Sequence, residues 1–297
     1  MTARMHADEV LVDTDLVHAL LTDQFPRWAD LPLTPVASTG TDNAMVRLGD
    51  DLVARLPRVD WAVGGIDREQ RWLPRLAPHL PVAIPEPVAL GRPGRGYPWP
   101  WSVQRWLPGA HPTSGTASPL VDGIARFVTA LRAVDTADAP ANGRGVPPAR
   151  RDAATREAIR DLAGLVDTDL VTAAWEHALA APVWDGPPVW AHGDLSPGNL
   201  LVADGVVTAV IDFSGVGVGD PACDLLVAWN LLVGDARTAF RAALGVDDAQ
   251  WARGRGWALS VALLQLPYYR VSNPPLAANA RHVIDQVTLD HTTTGCR

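Results

Sequence analysis

The chain has 297 residues, 47% of them apolar, with a formal charge of −8 and only two cysteines. A core of that size excludes a disordered chain, the acidity excludes a nucleic-acid binder that needs a clustered basic surface, and Cys223 and Cys296 are too few for a disulfide framework. Residues 1–12 carry acids and histidine where a secretion signal has a basic start and an apolar stretch, and no apolar run approaches the ~18 residues that span a bilayer, so a soluble, reducing, cytoplasmic setting is expected.

In chain order, short apolar or β-branched runs at Pro35–Ser38, Ala44–Leu48, Leu52–Leu56, Val88–Leu90 and Trp101–Trp106 predict strands, with a helix at Ile66–Leu76. This describes a small sheet carrying one helix. A loop rich in Pro and Gly follows at 108–119, and the expected division is 1–107 for a β-rich lobe and 108–297 for a larger helical lobe, with the site in the cleft. Helices are expected at Leu120–Val134, Asp152–Leu165, Asp169–Ala180, Pro221–Leu232, Ala236–Leu244, Gln250–Leu266 and Leu276–Leu289. Thr136–Arg150 reads as a surface loop.

Within the helical part, the runs Leu200–Ala203 and Val206–Ile211 flank Asp204-Gly205, a dipeptide suited to a two-residue hairpin turn because both positions need positive φ. If the pairing continues outward, 199 faces 210 and 197 faces 212. Asn199 and Asp212 would then lie on one side as diagonal neighbours roughly 7–8 Å apart. Two hard oxygen ligands can hold Mg²⁺, which completes its shell with water and phosphate. Asp194, just before the hairpin, would stand beside them.

Elsewhere, Arg55 shares a strand face with Val53, away from Leu52, Ala54 and Leu56, while Glu69 falls in the apolar stripe of the predicted helix. An acid on a buried face needs a cation. All 25 basic residues of the chain are arginine, so that partner has to be a guanidinium. Arg55 and Glu69 thus read as a pair, either for phosphate contact or as a plain inter-element ion pair.

The run His192-Gly193-Asp194-Leu195-Ser196-Pro197-Gly198-Asn199, followed by Ile211-Asp212-Phe213, resembles the catalytic loop and metal-binding element of the aminoglycoside phosphotransferase family, the small-molecule branch of the protein-kinase-like fold. The resemblance implies an α+β fold of two lobes. It implies Asp194 as the base that orients an acceptor hydroxyl, Asn199 and Asp212 as Mg²⁺ ligands, and ATP or GTP as co-substrate. It places Arg55 where the family has a phosphate-contacting Lys, Glu69 as its positioning acid, and the segment with Ser38, Gly40 and Asn43 as the phosphate-covering loop. Ser102–Trp106, with Gln104, would supply backbone groups to the purine.

His192 reads as a structural brace, Asp220 as a helix N-cap before Pro221, and Asp224 as a brace of the 192–194 backbone or as a helix-dipole partner. Gly193 and the short interval between Asp212 and Asp220 leave no room for a phosphorylated activation loop, which disfavours a protein kinase. Trp229, Tyr268 and Tyr269 are acceptor-contact candidates, with Asn230, Asn273, Glu157, Asp161 and Asp235 behind them, although packing or solvation is the plainer reading of each. The expected function is transfer of a γ-phosphoryl group to a hydroxyl of a small molecule, an aminoglycoside-like antibiotic first. The alternatives are a metabolic kinase for a choline-, homoserine- or sugar-like alcohol, or an inactive nucleotide-binding module. Neither nucleic acid nor membrane is an expected partner, and the sequence leaves the oligomeric state open.

Overall fold

The computed structural model describes residues 8–36, 40, 42–113 and 118–294. They form two compact units, one drawn from the described residues up to 109 together with 208–214, the other from those of 110–207 and 215–294.

The first unit begins with α1 (Thr14–Gln24), capped by Asp13, whose carboxylate accepts the Leu16 N–H at 2.8 Å. Val17, Leu20 and Leu21 form its buried stripe. This helix was not expected from the sequence, although both signals are present in it. An antiparallel sheet follows, in the order β1 (Leu33–Pro35), β2 (Asn43–Leu48), β3 (Leu52–Pro57), β5 (Trp101–Arg105), β4 (Pro87–Gly91). Along β2, Ala44, Val46 and Leu48 turn inward and their neighbours do not, the period-2 pattern of a strand with one face in the core. Leu52, Ala54 and Leu56 of β3 join the same core, leaving Arg55 on the opposite face. α2 (Val63–Leu76) then carries Ile66, Glu69 and Leu73 on its buried face. Residues 208–214 belong to this unit through Ala83, whose N–H and C=O bond Thr208 and Val210, each at 3.0 Å.

In the second unit the helices are α3 (Val121–Arg132), α4 (Asp152–Asp161), α5 (Thr168–Ala180), α6 (Val227–Asn230), α7 (Asp235–Ala243), α8 (Asp248–Tyr269) and α9 (Pro274–Thr294). Trp175, Trp190, Trp229 and Trp257 are fully buried among them. Two three-residue strands, β6 (Val189–Ala191) and β9 (Gly217–Gly219), pair antiparallel and frame the segment that carries the motif. β7 (Leu200–Ala203) and β8 (Val206–Val210), the latter passing into the first unit at Thr208, make the hairpin, with Asp204 at φ 50° and Gly205 at φ 77° in its turn.

Three expectations change. The helix expected at Pro221–Leu232 is a 3-10 turn over Pro221–Leu226 followed by the single turn of α6. The stretch read as a surface loop at 136–150 is stitched to β9: Asn142 donates to Val218 and Val218 to Pro140, and the Asn142 side chain is buried. β7 begins only at Leu200 and β8 ends at Val210, with Asn199 in a 3-10 turn and Asp212 at φ 62°. The strand alternation that put Asn199 and Asp212 on one face therefore does not reach either residue. Among the described residues no helix is long and apolar enough to cross a membrane.

Candidate active site

In the first unit, charge gathers around Arg55. Its Nη2 lies 2.7 Å from Asp212 Oδ1 and 3.5 Å from Glu69 Oε1. Glu69 also accepts from Gln104 Nε2 at 2.9 Å and from the Phe213 backbone N–H. Burial pulls the Arg55 guanidinium down, but the Glu69 and Asp212 carboxylates outweigh it and hold the group above its ordinary value, so the cation is fixed. Burial pushes the Glu69 carboxyl up, against the opposing pull of Arg55. Asp212, a third exposed at its side chain, also accepts from the Ser214 hydroxyl at 2.8 Å.

Other residues assigned here fare differently. Gln104 spends its side chain on Glu69, and Ser102, Val103 and Gln104 are paired in the sheet to β3 on one side and β4 on the other. The N–H groups of Arg105 and Trp106 go to Glu86 and Asp51 carbonyls. Those two N–H groups are thus engaged within the first unit, and the Gln104 side chain bonds Glu69. Asn43 opens β2 opposite Pro57, with its Oδ1 buried and unbonded. Gly40 is described but lies in no regular element, and Ser38 lies outside the described residues.

In the second unit the motif forms a braced turn. Gly193 has φ 81°, which L side chains rarely adopt, and a Cβ there would sit 2.6 Å from Asn142 Nδ2. Asp224, completely buried, accepts the N–H groups of His192 at 3.1 Å and Gly193 at 2.7 Å. Burial raises the Asp224 carboxyl, opposed by His192, these N–H bonds and Arg132. His192 is buried too, and its Nδ1 accepts the Asp194 N–H at 3.2 Å. Asp220 caps the 3-10 turn by accepting the Ala222 N–H, and Arg253 holds its carboxylate with two bonds at 2.6 and 3.2 Å.

Asp194 itself is open, with its side chain 41% exposed. Asn199 Nδ2 donates to its backbone oxygen at 2.8 Å and to Oδ2 at 3.2 Å. Arg144 donates to Oδ1. Because the Asn199 amide points its nitrogen at Asp194, its Oδ1 is left as a hard oxygen donor, the ligand type Mg²⁺ takes. No cluster of three or more His, Cys, Asp or Glu fit for a metal occurs among the described residues, so a cation here would depend on an amide, one carboxylate and ligands brought by water or phosphate.

Residues 33–257 match the family model described as the phosphotransferase enzyme family, about three-quarters of the chain. The chain belongs to the phosphotransferase enzyme family. A curated relative, an aminoglycoside 3'-phosphotransferase from Escherichia coli, is 32% identical over 127 residues, which covers 40% of this chain and 45% of that relative. Among solved structures, the GDP and kanamycin complex of APH(2")-IIia superposes with a TM-score of 0.73 at 20% identity, covering 93% of this chain and 99% of that one. The macrolide 2'-phosphotransferase MphH from Brachybacterium faecium, without ligand, gives 0.62 at 24% identity, covering 90% and 98%. These likenesses concern the fold: this family member has the α+β, kinase-like architecture that its motif implied.

The acceptor-contact candidates separate clearly. Trp229 is completely buried and packs at a tilt against Trp251, ring centroids 4.6 Å apart, so it is a packing residue of this family member. Asn230 and Asn273 are buried as well, bonded respectively to Leu226 and Asn279 and to the first turn of α9. Tyr268 is exposed, with Tyr269 edge-on to it at the end of α8, and Glu157, Asp161 and Asp235 are exposed. Sequence reasoning missed Asn142, Arg144, Ser214 and Arg253, which bond Ala191, Asp194, Asp212 and Asp220 respectively. Ser214 alone gave a local signal, a hydroxyl two residues after an acid.

Proposed function

We propose that this chain transfers the γ-phosphoryl group of ATP or GTP to a hydroxyl of a small molecule, with an aminoglycoside-like antibiotic as the leading acceptor. The observation that carries this reading is the open Asp194 carboxylate at the centre of a braced loop, in a chain of the phosphotransferase enzyme family. Asp194 orients the acceptor hydroxyl and receives its proton. Asn199 and Asp212 are the oxygen donors that would hold Mg²⁺, which when bound neutralises phosphate charge. Arg55, fixed as a cation by Glu69, contacts the transferred phosphate's oxygens through its fork.

The relatives' substrates support two acceptor classes. The curated relative is an aminoglycoside 3'-phosphotransferase, and MphH is a macrolide 2'-phosphotransferase. A less highly charged acceptor of the macrolide kind is the second reading, favoured by the guanidinium of Arg144 on Asp194 with Arg151 close enough to feel its charge. A polycation would meet both.

The test is γ-phosphate transfer from labelled ATP and GTP over a panel of aminoglycosides, macrolides and metabolic alcohols. Transfer to an antibiotic hydroxyl is expected, with a soluble setting and a Mg²⁺ requirement. Transfer to a metabolic alcohol alone would replace the acceptor assignment, and nucleotide binding without any transfer would leave only the inactive-module reading.

A further inference from the structure

The reaction assigned to Asp194 demands a carboxylate in one orientation, and the motif alone does not supply that. A carboxylate attached through Cβ rotates unless donors hold it, and each of its oxygens has room for two. In this protein one donor sits on each oxygen: Asn199 Nδ2 on Oδ2 at 3.2 Å, and Arg144 Nη1 on Oδ1. Asn199 belongs to the motif, whereas Arg144 arrives from 50 residues upstream.

The segment holding Arg144 is itself registered on the loop it serves. Asn142 Nδ2 donates to the Ala191 carbonyl at 2.9 Å, the residue just before the motif. The Oδ1 of that same amide accepts the Arg144 N–H at 2.8 Å and the Gly145 N–H at 3.1 Å. Arg144 Nη1 also donates to the Gly193 carbonyl at 2.7 Å, so the guanidinium bridges the backbone and the side chain of consecutive motif residues. Its own side chain is a third exposed and that of Asp194 more so. An ion pair that open contributes little to folding stability, so its geometry calls for another explanation.

We propose that Arg144 is a positioning residue for Asp194: its guanidinium fixes the direction of the carboxylate, and the Asn142 amide anchors the backbone from which that guanidinium reaches. This inference rests on the phosphotransfer reading of the same site. With Oδ1 and Oδ2 each holding one donor, one acceptor direction per oxygen is left for the incoming hydroxyl. Loss of Arg144 frees the carboxylate to rotate without removing it.

The test uses the full chain carrying Arg144→Ala, Arg144→Gln or Arg144→Lys. The expected result for Arg144→Ala is a fall in kcat of about 100-fold, the cost of a reacting group misplaced by about an ångström. KM for nucleotide and acceptor should stay within about threefold, with an unchanged unfolding midpoint. Arg144→Lys should recover part of kcat, and free guanidinium should restore part of the activity of Arg144→Ala but none to Asp194→Asn. A crystal structure of Arg144→Ala should show the Asp194 carboxylate turned, with residues 191–193 in place. An unturned carboxylate, a loss confined to acceptor KM, or failure of both the Ala and Gln variants to fold would each overturn the proposal. Because carboxylate direction is read from diffraction, a wild-type protein that transfers nothing would sink the phosphotransfer reading without being mistaken for this result.

Discussion

Arg55 reaches Asp212 at 2.7 Å across 157 residues of sequence, and the same Nη2 lies 3.5 Å from Glu69. One guanidinium thus serves two acids: Glu69, which the sequence already paired with it, and Asp212, which the sequence singled out as a metal ligand. Removing it strands a carboxylate that is 1% exposed.

The expected outcome for Arg55→Ala is therefore a loss of about 3–5 kcal/mol of stability, the cost of leaving one half of a buried pair behind. Chemical denaturation measures it. The double variant Arg55→Met with Glu69→Leu should recover most of that loss while remaining inactive, because the buried charges leave together. A single variant as stable as the wild type would show that Glu69 does not depend on Arg55.

Asp194→Asn keeps the size and the bonds from Asn199 but loses proton affinity. Transfer should fall by at least about 100-fold, the usual contribution of a positioned base. Nucleotide affinity, followed by calorimetry, should be unchanged. Full activity in this variant would remove Asp194 from its assigned role.

Asp224 holds the backbone of the motif from beneath. In Asp224→Ala the His192 and Gly193 N–H groups lose their acceptor inside the protein, at about 1–3 kcal/mol each. Thermal unfolding should show a lowered midpoint, and hydrogen exchange should quicken at those two amides first. Unchanged exchange there would mean that another acceptor takes over.

His177 and His291, with ring centroids 5.5 Å apart, are both pushed below the ordinary histidine value, by burial first and then by Arg255. A depressed folded value means that the unfolded chain binds protons more readily. Stability from these groups is complete above about pH 6.5 and is lost as pH falls from there through the folded values. The melting temperature should drop across that window, and the double variant His177→Gln with His291→Gln should flatten the drop. An unaltered pH profile in the double variant would place the titration elsewhere.

What could be read beforehand was what is written in adjacent residues. Asp204 and Gly205 both take positive φ because a two-residue turn requires it, and both letters announce it. The motif 192–199 is legible for the same reason: loop, candidate base and amide ligand are contiguous. Arg144 and Asn142 were invisible because their meaning depends on a fold that brings residues about 50 apart together, and neither sits in a periodic pattern. β6 and β9 gave no alternation, being three residues long with glycine at two of the six positions. Trp229 illustrates the reverse error, since an aromatic side chain beside a candidate site looks the same in sequence whether it faces a ligand or the core.

The return of residues 208–214 to the first unit bears on how the chain is made. During synthesis, the sheet and α2 leave the ribosome long before the segment that carries Asp212 and the partner of Ala83 has been translated. Until then Arg55 has Glu69 but lacks its second acid, and Ala83 lacks its bridge. Completion of this unit waits on contacts of high sequence separation, which form slowly. A translational pause before residues 208–214 have left the ribosome would therefore prolong the lifetime of a nascent N-terminal intermediate, whereas a pause after they have emerged would not.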